Sequence, residues 1–220
     1  MIAVVDYGAG NVQSVVNALE SIGADAQLTA DPAVIQAARG VIVPGVGAAR
    51  DTMQNLERGG LVEPVMSVIA AGTPYLGVCM GMQALMTYSE EHGGQRCLDV
   101  VSGVVRELDT DLAVPHMGWN SVNPTSAGAG HPLLDGIPVG AEFYFVHSFA
   151  CFPGDSSWVL AETDYGSPFP SIIGRDNIMS TQFHPEKSGT YGLRLLRNFT
   201  RIVDAGGVKR LSARMAGVAE

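Results

Sequence analysis

Four short apolar runs divide the first third of the chain. Residues 2–5 (Ile-Ala-Val-Val), 41–43 (Val-Ile-Val) and 75–78 (Tyr-Leu-Gly-Val) are continuous, and 26–28 is a weaker one. Unbroken runs of this length mark strands covered on both faces. Between them the pattern predicts helices over 12–22, 32–38, 49–56 and 61–71. Asp31 and Pro32 open the second of these as N-cap and first helical residue. A fifth helix is predicted over 80–88, with Met82, Leu85 and Met86 as its apolar stripe. Strands are separated by helices up to this point, which implies a parallel, doubly wound sheet. Beyond residue 88 short strands follow at 100–106, 121–123, 141–146, 158–163, 172–175 and 178–183, separated by turns and prolines. They read as an antiparallel extension. An amphipathic helix over 192–205 closes the pattern with Leu193, Leu196, Phe199 and Val203 on one face. The expectation is one α/β domain over 1–205, with a central, mostly parallel sheet, helices on both faces and that extension. Residues 206–220 form a C-terminal tail with little to pack.

Composition agrees and narrows the function. The chain has 220 residues, 46% hydrophobic, with 27 glycines, enough for a real core. A net charge of −9 gives no general attraction to nucleic acid or anionic membrane. No apolar run is long enough to span a bilayer. The start, Met1-Ile2-Ala3-Val4-Val5-Asp6, reads as a first strand rather than a signal peptide, so a cytoplasmic protein is expected. Three cysteines, Cys79, Cys97 and Cys151, lie far apart and suggest neither a disulfide framework nor a zinc site, so no metal or cofactor is expected. Gly8-Ala9-Gly10 lacks the third glycine of a dinucleotide loop.

The chemistry centres on Gly77-Val78-Cys79-Met80-Gly81. This is the nucleophile elbow with sulfur in place of hydroxyl, where residues without Cβ relieve a crowded strand-to-helix turn. A thiol at a helix N-terminus is also favoured as thiolate. A small buried core cysteine is the plain alternative. The loop Pro44-Gly45-Val46-Gly47-Ala48 ends a neighbouring strand and is a candidate oxyanion hole. It is equally ordinary strand-to-helix punctuation.

A nucleophilic cysteine needs a base and a group to orient it. In Gln182-Phe183-His184-Pro185-Glu186, proline pushes His184 toward extended backbone, and residues two apart on extended chain face the same way. His184 and Glu186 therefore face one site. His147 is the rival base, with no carboxylate near it in sequence. The order Cys79, His184, Glu186 is not that of an α/β-hydrolase.

The motifs Gly-Val-Cys-Met-Gly-Met-Gln at 77–83 and Gln-Phe-His-Pro-Glu-Lys-Ser at 182–188 resemble the class I glutamine amidotransferase family. Within it the chain resembles, end to end, the glutaminase subunits of imidazole glycerol phosphate synthases. Supporting stretches are Val-Asp-Tyr-Gly-Ala-Gly-Asn at 5–11, Pro-Gly-Val-Gly at 44–47, Pro-His-Met-Gly-Trp-Asn at 115–120 and Tyr-Phe-Val-His-Ser-Phe at 144–149. Relatives serving anthranilate, carbamoyl phosphate or GMP synthesis look different at 44–47 and 115–120. Phe149 departs from the tyrosine usual in the family.

The resemblance implies a glutaminase in which Cys79 attacks the glutamine amide, His184 moves the proton and Glu186 orients His184. It assigns Gly45, Val46, Gly47, Met80, Gln83, His147, Ser148 and Phe149 to oxyanion and substrate contacts. It assigns Asn11, His116, Met117, Gly118, Trp119 and Asn120 to the interface with a barrel-fold cyclase, in a heterodimer serving histidine biosynthesis. From composition alone, 116–120 is equally a core tryptophan in a strand connection or an interface anchor. The chain has no phosphate loop or second domain to hold an ammonia acceptor, which independently asks for a partner. The 44–47 loop is expected to rest with its peptide turned away from the site. Two rival readings are a lone cysteine peptidase or amidase and a non-catalytic binding subunit.

Overall fold

The computed structural model describes residues 1–216. Its first five elements are β1 (Ile2–Val5), α1 (Val12–Ser21), β2 (Ala26–Thr29), α2 (Pro32–Ala37) and β3 (Gly40–Val43). The Asp31 side chain accepts from the Ala33 N–H at 2.9 Å with Pro32 at the first helical position, as the sequence pattern requires. Next come α3 (Ala49–Arg58), α4 (Val62–Ala70), β4 (Tyr75–Val78), α5 (Met80–Gln83), β5 (Met86–Ser89) and β6 (Gln95–Arg96). The remaining strands are β7 (Val101–Glu107), β8 (His116–Pro124), β9 (Ala141–His147), β10 (Phe149–Pro153), β11 (Val159–Asp164), β12 (Pro168–Arg175) and β13 (Ile178–Thr181). Helices α6 (Gly189–Ala205) and α7 (Val208–Met215) follow.

Nine strands form one sheet in the order β2-β1-β3-β4-β13-β12-β11-β8-β9. From β2 to β13 every pairing is parallel; from β13 to β9 every pairing is antiparallel. A second sheet runs β10-β7-β5-β6. The continuous apolar runs have a direct cause, because alternate residues of one strand enter different cores. Ile2, Val4, Ile42, Leu76 and Val78 pack with α1 and α6. Ala3, Val5, Val41, Val43 and Tyr75 pack with α2, α3 and α4 and with Met86, Val101 and Val105 of the small sheet. Helices and the small sheet thus seal both faces.

Two expectations differ from the structure. The helix predicted over 80–88 stops at Gln83, and Met86–Ser89 is a strand. The Leu85 carbonyl accepts from Val100 and Val101 at 2.9 Å, and Met86 pairs with Val101. A tertiary ladder and full burial of Met86 outweigh the helical spacing of the apolar stripe. The tail at 206–220 also differs. Val208–Met215 is helical, and Leu211 is buried in the α1/α6 core. Residues 217–220 lie outside the described residues.

Candidate active site

Three adjacent parallel strands deliver the site at their carboxyl ends, the usual ligand position of an open α/β sheet. β3 leads into the 44–47 loop, β4 into Cys79, and β13 toward His184. Val43 pairs with Gly77, and Thr181 with Val78. Cys79 has φ 52° and ψ −101°, a strained conformation for a side-chain-bearing residue. The turn is pinned by the Cys79 N–H donating to the Thr181 carbonyl at 2.7 Å and the Gln83 N–H donating to the Cys79 carbonyl at 3.1 Å. A Cβ at Gly81 would collide with the Val43 carbonyl, and one at Gly77 would come within 2.7 Å of the Gly81 carbonyl carbon. Glycine is required at both flanks because main chain approaches main chain there.

His184 is extended at φ −99° and ψ 97°, with its N–H donating to the Tyr144 carbonyl at 3.0 Å. The chain then folds into a 3₁₀ turn over Pro185–Lys187. The turn, rather than extended backbone, carries the Glu186 carboxylate back to the ring. Nδ1 and Oε1 are 2.8 Å apart, and both side chains are 2% exposed. That contact fixes the proton on Nδ1. Nε2 is buried without a hydrogen-bond partner among the described residues, as is Glu186 Oε2. Burial pushes the His184 pKa down, but the nearby Cys79 sulfur and the bonded, charged Glu186 carboxylate outweigh it and raise the pKa to about 10. An imidazole close enough to feel the sulfur, yet unbonded to it, is common in a site without substrate.

A cavity of about 390 Å³ opens on Cys79. Of the residues expected at the substrate, Val46, Gly47, Met80, Gln83, His147, Ser148 and Phe149 line it. Gly45, in the same loop, is not among the residues lining the cavity. Its carbonyl accepts from the Met80 N–H at 3.4 Å, and the Tyr7 phenol fills the space a Cβ would take. Phe149 contributes its carbonyl, which accepts from Gln83 Nε2 at 3.1 Å and from His147 Nδ1 at 2.9 Å. The departure from tyrosine leaves this main-chain contact untouched.

Of the residues expected at the interface, Met117 and Trp119 stand 61% and 54% exposed on β8, and Asn11 is exposed at the N-cap of α1. Gly118 lies between them and Asn120 is half-buried. His116 is a correction. It is 2% exposed and turned inward, because alternation along β8 sends it to the opposite side from Met117. It bonds His147 rather than facing a partner.

Sequence reasoning missed two residues. Gln182 places Nε2 3.6 Å from the Cys79 sulfur. Glu91 lines the cavity, and its Oε2 accepts from the Ala49 N–H at 2.6 Å, capping a helix whose own N-cap residue is alanine. Gln182 was readable beside His184 in one motif; Glu91 carried no signal, since its role depends on the fold.

A thiol on an elbow beside a carboxylate-held imidazole is the equipment of covalent acyl transfer. Residues 3–203 match the model of the glutamine amidotransferase class-I family, and the chain belongs to that family. It is 50% identical over 206 residues to imidazole glycerol phosphate synthase subunit HisH of Chloroflexus aurantiacus, covering 93% of this chain and 97% of the relative. It is 49% identical to the subunit of that name from Herpetosiphon aurantiacus, over 94% and 97% of the two chains. Among solved structures, a glutamine amidotransferase superposes with TM-score 0.72 at 19% identity, over 93% of this chain and 100% of that one. The glutaminase domain of Trypanosoma brucei CTPS with bound acivicin gives 0.62 at 16%, over 91% and 93%. At those identities the two structures speak for the fold alone.

Proposed function

We propose that the chain is the glutaminase subunit of an imidazole glycerol phosphate synthase, cleaving glutamine at Cys79 and passing ammonia to a barrel-fold cyclase in the cytoplasm, for histidine biosynthesis. The observation that carries this reading is the convergence of Cys79 and the His184–Glu186 pair from neighbouring strands. The sulfur attacks the side-chain amide carbon and forms a tetrahedral oxyanion. The C–N bond breaks as His184 gives its Nε2 proton to the departing nitrogen, which leaves as ammonia. A water, deprotonated by His184, then attacks the thioester, releasing glutamate and restoring the thiol. Glu186 keeps the imidazole in the required orientation and offsets its charge. Glu91, in the cavity wall, suits the α-ammonium of the substrate.

The oxyanion donors would be the Met80 N–H and an N–H of Val46 or Gly47. The Met80 N–H meets the Gly45 carbonyl at 3.4 Å in this state. That contact supports a resting loop that must turn a peptide before the hole is complete. Met117 and Trp119 offer the exposed apolar surface for the cyclase.

Glutamate release from glutamine, by the chain alone and mixed with a barrel cyclase plus its phosphoribulosyl aminoimidazole-carboxamide substrate, tests the reading. Low release alone and strong release in the mixture, lost in Cys79→Ala, is the expected result. Full activity alone, indifferent to the cyclase, overturns the partner and the pathway.

A further inference from the structure

Behind the cavity runs a hydrogen-bond chain whose polarity is fixed at every link. Asn120 Nδ2 donates to the Asp164 carbonyl at 2.9 Å and lies 3.2 Å from His116 Nε2. His116 Nδ1 lies 3.0 Å from His147 Nε2, and His147 Nδ1 lies 2.9 Å from the Phe149 carbonyl. A carbonyl only accepts, so His147 carries its proton on Nδ1 and presents a lone pair at Nε2. His116 must then donate from Nδ1 and accept at Nε2 from the Asn120 amide. Both rings are neutral in this arrangement, since a second proton on either would set N–H against N–H. Burial agrees, lowering His116 to about 4; burial, then His116 and His184, lower His147 to about 3 against the backbone bond to Phe149.

The chain continues beyond Phe149. Its carbonyl also accepts from Gln83 Nε2, which lies 3.5 Å from Gln182 Oε1, and Gln182 Nε2 reaches the Cys79 sulfur. His116 sits on β8, directly opposite His147 in the ladder, and the next residues outward on β8 are Met117 and Trp119. His147–Phe149 is the segment where the chain leaves the large sheet for the small one.

We propose that the His116–His147 pair is a positioning device for glutamine hydrolysis, holding the Phe149 carbonyl and hence Gln83 and Gln182 in register with the partner-facing strand β8. Neither ring touches the reacting atoms in this role. They set where one pocket wall lies relative to the sulfur. The pair rests on the glutaminase reading above, and gives it a material link between the exposed strand and the thiol. A misplacement of about 1 Å at such a wall can cost about a hundredfold in rate.

His116→Phe keeps a ring to stack on Phe145 and Tyr165, which now lie 4.9 and 4.0 Å away between centroids, but it cannot donate to His147. His116→Asn places an amide N–H where Nδ1 stood. Steady-state glutaminase kinetics with the cyclase and its substrate should show His116→Phe losing about tenfold or more in kcat, with KM changing less, and His116→Asn recovering most of it. Equal damage in both variants, or none in His116→Phe, overturns the device. Should His116→Phe not fold, two-bond 1H–15N spectra of the histidine-labelled native chain decide. Both His116 and His147 are expected as neutral Nδ1–H tautomers at pH 7, and an Nε2–H or imidazolium form at either overturns the proposal. Native protein that releases no glutamate with the cyclase would instead sink the functional reading, while the tautomers would still report on the pair.

Discussion

Gly81 lies so close to Val43 that a single methyl on its Cα would collide with the Val43 carbonyl. The elbow that presents Cys79 is therefore seated directly on the strand that leads into the 44–47 loop. Cys79 and the candidate oxyanion loop thus share one mount, and the spacing between the elbow and β3 is set by main chain rather than by adjustable side chains.

Gly81→Ala should be among the most damaging small substitutions in the chain. Backbone has to move on one side or the other, at a cost of about 1–3 kcal/mol or more. Urea unfolding reads the loss, and glutamate release should fall further than stability alone explains. A fully active, fully stable Gly81→Ala would show that the elbow has slack.

At Cys79 the usual ranking of alanine over glycine should invert. The residue sits at φ 52°, and such strain costs about 1–3 kcal/mol in a residue with a Cβ. Both Cys79→Ala and Cys79→Gly should lack glutaminase activity, while Cys79→Gly has the higher urea midpoint. A lower midpoint for the glycine variant argues against strain at the elbow.

Glu186→Gln removes a charge that helps raise the His184 pKa and weakens the hold on Nδ1. A drop of about 10²–10⁴ in kcat is expected, with a smaller change in KM. The His184 imidazole should also titrate at lower pH in NMR. Unchanged titration would mean Cys79 alone sets the ring's charge.

These predictions rest on a site whose parts were unequally legible. Cys79 could be read because glycines around an elbow give a local geometric reason. His184 and Glu186 were legible as one short motif, but a 3₁₀ turn over Pro185–Lys187, rather than alternation along extended chain, brings the carboxylate to the ring. The 44–47 loop followed from its place on a neighbouring strand, and Gln83 from the family resemblance. Glu91 and the His116–His147 contact could not be read, since both are products of packing between distant strands. The helix expected over 80–88 failed for a related reason. Met82, Leu85 and Met86 repeat at helical spacing, yet Met86 is spent on a ladder with Val101, a residue whose proximity no local pattern announces. The stretch 116–120 was seen as one unit although alternation splits it, Met117 and Trp119 outward and His116 inward.

Stability should fall on mild acidification. His116 and His131 are held near pKa 4 and His147 near 3 by burial, below the ordinary 6.5. Between those values the unfolded chain binds protons that the native chain does not. Each ring's contribution is therefore present above pH 6.5 and is lost as pH falls toward 4 and then 3, at up to about 1.4 kcal/mol per pH unit. His184 works with the opposite sign: its pKa is raised, so its contribution is whole below 6.5 and lost as pH rises through about 10. Urea midpoints should decline steeply from pH 6.5 to 4. A flat profile there would contradict neutral, buried rings.

Trp119→Ala should cost the isolated chain no more than about 1–2 kcal/mol, because the indole is 54% exposed and packs edge-on to Tyr144 at 6.3 Å and beside Gly189. Binding to the cyclase should weaken by about 2 kcal/mol or more if this tryptophan anchors the interface. Calorimetric titration measures it, and an unchanged affinity moves the docking surface elsewhere.

The register that sets Val78 beside Thr181 has a consequence for how the protein comes into being. A ribosome reaches the nucleophile long before it reaches the base, with most of the antiparallel strands made in between. Until β13 slides in next to β4, the growing polypeptide carries the Cys79 sulfur with no imidazole beside it and its elbow seated on β3 alone. Competence thus arrives in one late step, when the central strand of the sheet is supplied by nearly the last part of the chain to be made.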